Sequence, residues 1–153
     1  MSTPEERLER LGLSVPDVVT PVATYVPAVR TGNHVYTAGQ LPMRDGQLTL
    51  TGKVGAEVSA EDGFDCAQLC ALNGLAAVAS VVGDLSRVVR VVKLVVFVAS
   101  AADFTGQPGV ANGASDLVGE VFGDAGQHAR SAVGVAVLPL DAPVEVEMVV
   151  EVS

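Results

Sequence analysis

With 153 residues, 49% of them hydrophobic and only 4% aromatic, the chain is long enough for one domain with a core of Val, Ala and Leu. Its formal charge of −9 and scattered Lys and Arg argue against a nucleic-acid surface and against an anionic membrane surface. No signal peptide is visible, and no run reaches the roughly 18 to 20 apolar residues of a membrane span.

Residues 3–12 are predicted to form a short helix. Thr3 is a suitable N-cap, Pro4 suits the first helical position, Glu6 completes a capping box and Gly12 can end the helix. A connecting segment, 14–21, follows. Residues 25–30 and 34–38 read as two strands joined by the turn signal Thr31-Gly32-Asn33. Asp45-Gly46 marks another turn before a weak strand near 47–51. A long helix is expected over 60–82, with Ser59 as N-cap, Glu61 and Asp62 in its first turn and Gly83 as its stop. Its second half is apolar nearly all round, which implies burial on more than one side.

Residues 88–98 are β-branched and apolar on both faces apart from Arg90 and Lys93, the pattern of a central strand covered on both sides. A second helix is expected over 110–122 and two closing strands over 129–137 and 144–152. The chain thus reads as one ββ(β)αβαββ domain, residues 1–153, with residues 1–20 as an N-terminal helical extension. One helical layer covers one sheet face, yet the strands carry apolar residues on both. The second face is therefore expected to meet another copy of the chain.

Cys66 and Cys70 are the only cysteines and lie four apart on the long helix. They read as small buried residues, and two Cys cannot complete a structural zinc site. With two His and no paired metal-ligand spacing, a metal site is not expected. The expected setting is cytoplasmic and reduced.

After Lys93 the only Lys or Arg is Arg130, against eight Asp and Glu. Strand alternation places His128, Arg130, Ala132, Gly134 and Ala136 on one face. Small neighbours beside a long cation leave room for an anion. Arg130 could equally pair with Glu145 or Glu147 as a structural ion pair. His128 could donate to a carboxylate, shuttle a proton, or simply pack at the strand entrance. Glu145 and Glu147 share a face. They form either a solvated sheet surface or a site where one of them positions water, with a pKa raised by partial burial.

Ala129-Arg130-Ser131, Leu138-Pro139 and Val144-Glu145-Val146-Glu147 together resemble the C-terminal signature of the RidA/YjgF family of enamine/imine deaminases. Tyr25-Val26, Gly32-Asn33 and Ala38-Gly39-Gln40-Leu41-Pro42 are similar to its N-terminal hairpin, and 91–98 to its central strand. The resemblance implies an α+β, chorismate-mutase-like fold: a mixed β-sheet with two main helices packed on one face, assembled as a homotrimer with clefts between subunits. It implies hydrolysis of small 2-imino acids to 2-keto acids and ammonia, with no cofactor and a small carboxylate-bearing metabolite as partner. Arg130 would hold the carboxylate and Glu145 the attacking water. Tyr25, Gly39, Asn112, His128 and Ala132 match substrate-binding positions or their neighbours. Ala132 stands where the family often has Cys, Ala38 where Ser is frequent, and His128 where many members have Pro. These departures motivate an alternative, a non-catalytic metabolite-binding or protein-interaction module of the same fold. The ribonuclease activity attached to some members sits poorly with the acidic composition.

Overall fold

The computed structural model describes residues 1–21 and 23–153. The first helix, α1 (Pro4–Arg10), starts at the expected capping box. The Thr3 hydroxyl accepts from the Glu6 N–H (3.1 Å), and the Glu6 carboxylate accepts from the Thr3 N–H (3.0 Å). This helix is built into the body of the molecule. Leu8 is fully buried, Arg7 donates to the Val121 carbonyl, and the Glu5 carboxylate accepts from the Leu85 N–H.

Strands β1 (Ala28–Thr31) and β2 (His34–Thr37) form the predicted hairpin, with Gly32 at φ 57° in its turn. The first strand begins three residues later than predicted, immediately after Pro27, whose missing N–H cannot join the ladder. Tyr25 and Val26 lie outside it. The weak strand expected at 47–51 is a two-residue strand in a minimal hairpin, β3 (Met43–Arg44) with β4 (Gln47–Leu48). Asp45 and Gly46, both at positive φ, make the turn.

Helix α2 (Ala60–Val82) has the predicted bounds, with the Ser59 hydroxyl accepting from the Asp62 N–H and Gly83 at φ 90° ending it. Strand β5 (Val88–Ala99), helix α3 (Gln107–Phe122), β6 (Ala129–Val135) and β7 (Val144–Val152) complete the chain. The α3 start lies three residues before the expected one, with Pro108 in its first turn.

The large sheet has the order β1-β2-β7-β5-β6, with β5 and β6 parallel and the other pairs antiparallel. Both long helices cover one face. Val35, Leu94, Val96, Val98, Val144, Val146 and Val150 of that face are buried in the same core as α2 and α3. Backbone approach between the helices is close: a Cβ on Gly113 would lie 2.0 Å from the Phe64 carbonyl oxygen. Within one chain β5 is covered on its helix face, and Val95 and Phe97 on the other face are half-buried. One expectation needs correction: α2 is long and apolar enough to cross a membrane by length and composition, contrary to the reading that no segment is. Here it is the core helix, with 72% of its most apolar window buried inside the molecule.

Both thiols are buried and unpaired. Burial raises the Cys66 pKa, and pushes that of Cys70 further above the ordinary thiol value. Among the described residues no group of three His, Cys, Asp or Glu is placed to hold a metal ion.

A candidate active site in two halves

The first half forms around Glu145. Even-numbered residues of β7 are buried beneath the helices, so Glu145 and Glu147 point to the other face, where they are half-buried. The Gln40 N–H donates to the Val146 carbonyl (2.8 Å), and the Val146 N–H returns the bond to Gln40 (3.0 Å). This bridge lays the 39–41 backbone against β7. A Cβ on Gly39 would stand 2.5 Å from Glu145 Oε2, so only glycine lets the carboxylate lie there undisturbed.

Together Tyr25, Gly39, Gln40, Pro139 and Glu145 line a cleft with about 450 Å³ of empty space, part of it open to solvent. Leu41 and Met43 form another wall. Their carbonyls each accept from Asn73 Nδ2 at 3.0 Å, which ties that wall to α2. Pro139 leads into Leu140 and Asp141, both in the left-handed region (φ 60° and 62°), and the Asp141 carbonyl accepts from the Gly52 N–H. Holding two such residues costs roughly 1–3 kcal/mol each, a conformation that persists only where the surroundings impose it. Burial raises the Glu145 pKa, and the neighbouring Glu147 charge adds to the effect. A carboxylate whose pKa lies closer to neutrality exchanges protons more readily at working pH.

The second half forms around Arg130. In β6 this residue pairs with Leu94, and Ala132 with Val96, so both point to the helix side of the sheet. Arg130 Nη1 donates to Asn112 Oδ1 (2.8 Å) and to Ser115 Oγ (3.1 Å), and Nη2 donates to the Pro108 carbonyl (3.3 Å). A guanidinium carries five N–H groups. Three are taken by α3, and among the described residues the other two, Nε–H included, have no partner and can meet a planar two-oxygen acceptor. Ala132 packs against the core, and its methyl makes no polar contact. His128 bonds Ser115 Oγ through Nε2 (2.9 Å) and Gly126 O through Nδ1 (2.6 Å).

These positions correct the sequence reading. Arg130 pairs with neither Glu145 nor Glu147. The two carboxylates pair in register with Phe97 and Val95, on the face opposite Leu94 and Arg130, and β5 lies between β7 and β6. His128 has both ring nitrogens engaged locally, with Ser115 and Gly126, and neither meets a carboxylate of this chain among the described residues. Of the seven candidate residues, Tyr25, Gly39 and Glu145 meet in the cleft, while Asn112, His128 and Arg130 share one hydrogen-bonded cluster with Ala132 two residues along the strand. Sequence reasoning missed Ser115 and Asn73. Ser115 was signalled by its place three residues after Asn112, on the same helix face. Asn73 lay in a stretch read as apolar.

A mixed sheet of this order, with two helices on one face, a carboxylate cleft and an arginine-bearing edge strand, defines a small α+β protein of the chorismate-mutase-like class. The family model described as "YjgF/chorismate_mutase-like, putative endoribonuclease" matches residues 5–152, and the chain belongs to that family. It is 47% identical over 147 residues to Protein TCP17 of Trypanosoma cruzi, covering 95% of this chain and 92% of that protein. Among solved structures, a Shewanella oneidensis MR-1 protein described as a "putative endoribonuclease" superposes with TM-score 0.96 at 32% identity, covering 99% of this chain and 100% of its own. TdcF of E. coli, solved with bound serine, superposes with TM-score 0.67 at 26% identity, covering 89% and 94%.

Proposed function

We propose that the protein hydrolyses small 2-imino or enamino acids to 2-keto acids and ammonia, in a cleft completed by two copies of the chain. The observation that carries this reading is the Arg130 guanidinium. It is held along one side by α3 and keeps two N–H donors for a carboxylate. The serine bound to TdcF supports an amino-acid-like carboxylate as the ligand type.

Arg130 and Glu145 lie on opposite faces of their own sheet and two strands apart. For both to touch one small substrate, they must come from different copies. Val29, Tyr36 and Val133 leave apolar surface exposed on the face away from the helices, and β6 has an unpaired edge. Both features suit closure by neighbouring copies in a homotrimer.

Arg130 of one copy fixes the carboxylate and so the plane of the adjacent C=N carbon. Glu145 of the next takes a proton from water as the oxygen adds to that carbon. With the imine protonated, this proton then passes to nitrogen, and as the C–N bond breaks the hydroxyl's remaining proton goes to Glu145, leaving the 2-keto acid and ammonia. A raised carboxylate pKa suits these transfers.

The test is a coupled assay in which threonine dehydratase generates the imine and semicarbazide competes for it. Purified protein is expected to speed keto-acid formation, and Arg130→Ala to abolish the gain. No acceleration, or an Arg130→Ala variant as active as wild type, rejects the reading. Tight binding of a keto acid without turnover favours a non-catalytic module instead, which Ala132 in place of a thiol makes a real alternative.

A further inference from the structure

We infer that Ser115 and His128 are positioning residues that hold the Arg130 guanidinium ready for its anion, through a relay of fixed hydrogen-bond polarity. The inference rests on the carboxylate role of Arg130 proposed above.

The polarity follows from the two ends. Gly126 O can only accept, so the His128 Nδ1 at 2.6 Å carries the ring hydrogen. Nε2 of that tautomer is a lone-pair acceptor, 2.9 Å from Ser115 Oγ. At the other end the guanidinium can only donate, so Ser115 Oγ accepts from Nη1 at 3.1 Å. The serine hydrogen is therefore free to go to Nε2. Arg130, Ser115 and His128 thus each donate to the next group along, and the Gly126 carbonyl accepts at the end.

The end anchor is rigid. A Cβ on Gly126 would lie 2.3 Å from the Val118 carbonyl oxygen, so residue 126 is pressed against α3 and its carbonyl has little freedom. Asn112, one turn before Ser115, takes the other Nη1 hydrogen at 2.8 Å. Two side chains on one helix face thus fix the Nη1 end of the guanidinium, and His128 fixes the hydroxyl of one of them. Without the imidazole, the Ser115 hydroxyl could rotate to a carbonyl of its own helix and weaken its hold on Arg130. Pre-orienting the cation lowers the ordering cost of binding.

Two measurements test the relay. The first is long-range proton–nitrogen NMR of His128 in the unliganded protein, which involves no substrate. The relay requires hydrogen on Nδ1 and a bare Nε2, with the Nε2 resonance moving in Ser115→Ala. Hydrogen on Nε2 alone, or no response to Ser115→Ala, overturns it. The second is calorimetric binding of 2-oxobutanoate together with steady-state kinetics. Ser115→Ala and His128→Leu are each expected to weaken binding about tenfold and to raise KM with kcat little changed, while His128→Gln, which keeps an acceptor, stays near wild type. If Arg130→Ala loses binding but Ser115→Ala and His128→Leu do not, the positioning role fails while the carboxylate reading stands. If Arg130→Ala binds as well as wild type, the carboxylate reading itself fails, and the His128 tautomer still decides whether the relay exists.

Discussion

The Glu145 cleft and the Arg130 edge solve opposite electrostatic problems. Glu145 is partly desolvated beside another carboxylate, with no cation bonded to it among the described residues, and its pKa rises in consequence. Arg130 is surrounded by neutral acceptors (an amide oxygen, a hydroxyl and a carbonyl) that orient it without neutralising it. One region is left short of positive charge and the other short of negative charge. Had the two met within one chain, they would have formed an ion pair and blocked the place where the proposed reaction needs a substrate anion and a water. On the proposed function, putting them on opposite sheet faces keeps each available until copies assemble.

The largest effect is expected from breaking the cationic half. Arg130→Ala should lower kcat/KM by about 100-fold or more, and Arg130→Lys should recover little of it, because an ammonium cannot present the two-donor edge. On the other side, Asn73→Ala removes the donor for two carbonyls of the cleft wall. It should cost about 2 kcal/mol in urea unfolding, since buried acceptors lose their partner. Gly39→Ala pushes on the end of a movable side chain rather than on backbone. It should reduce kcat about tenfold while changing stability by less than about 1 kcal/mol, a split that a damaged fold would not produce.

The smallest effect concerns pH. The folded pKa of Glu145 is raised, so its contribution to stability is fully present below the unfolded carboxylate pKa and is lost as pH rises through the folded value. Under conditions that keep the chain monomeric, Glu145→Gln should stabilise the protein slightly at neutral pH, and the gain should vanish in acid. Thermal melts of both proteins from acid to neutral pH check the sign. A gain confined to acid contradicts it.

Much of this arrangement was legible in the sequence because it is local. The Thr3/Glu6 capping box, the Ser59 cap, Gly83 and the apolar run between them set α1 and α2 closely. Alternation in β7 separated Val144 and Val146 from Glu145 and Glu147. What alternation cannot tell is which side of the sheet a given phase occupies relative to another strand, because that depends on pairing register. For that reason the Arg130–Glu145 ion pair looked plausible until Leu94 was seen opposite Arg130 and Phe97 opposite Glu145. Asn73 escaped notice for a related reason. Its partners, the carbonyls of Leu41 and Met43, are about thirty residues away and carry no side-chain signal.

The central claim is that one site draws Arg130 and Glu145 from different copies, and subunit complementation addresses it most directly. Arg130→Ala and Glu145→Gln, each inactive alone, are unfolded, mixed in equal amounts and refolded together. Random assembly should place an intact Arg130 beside an intact Glu145 in about a quarter of the sites and restore about that fraction of wild-type deaminase activity. If the mixture stays as inactive as its parents while mass spectrometry confirms mixed oligomers, the two residues do not act across copies, and the account is wrong.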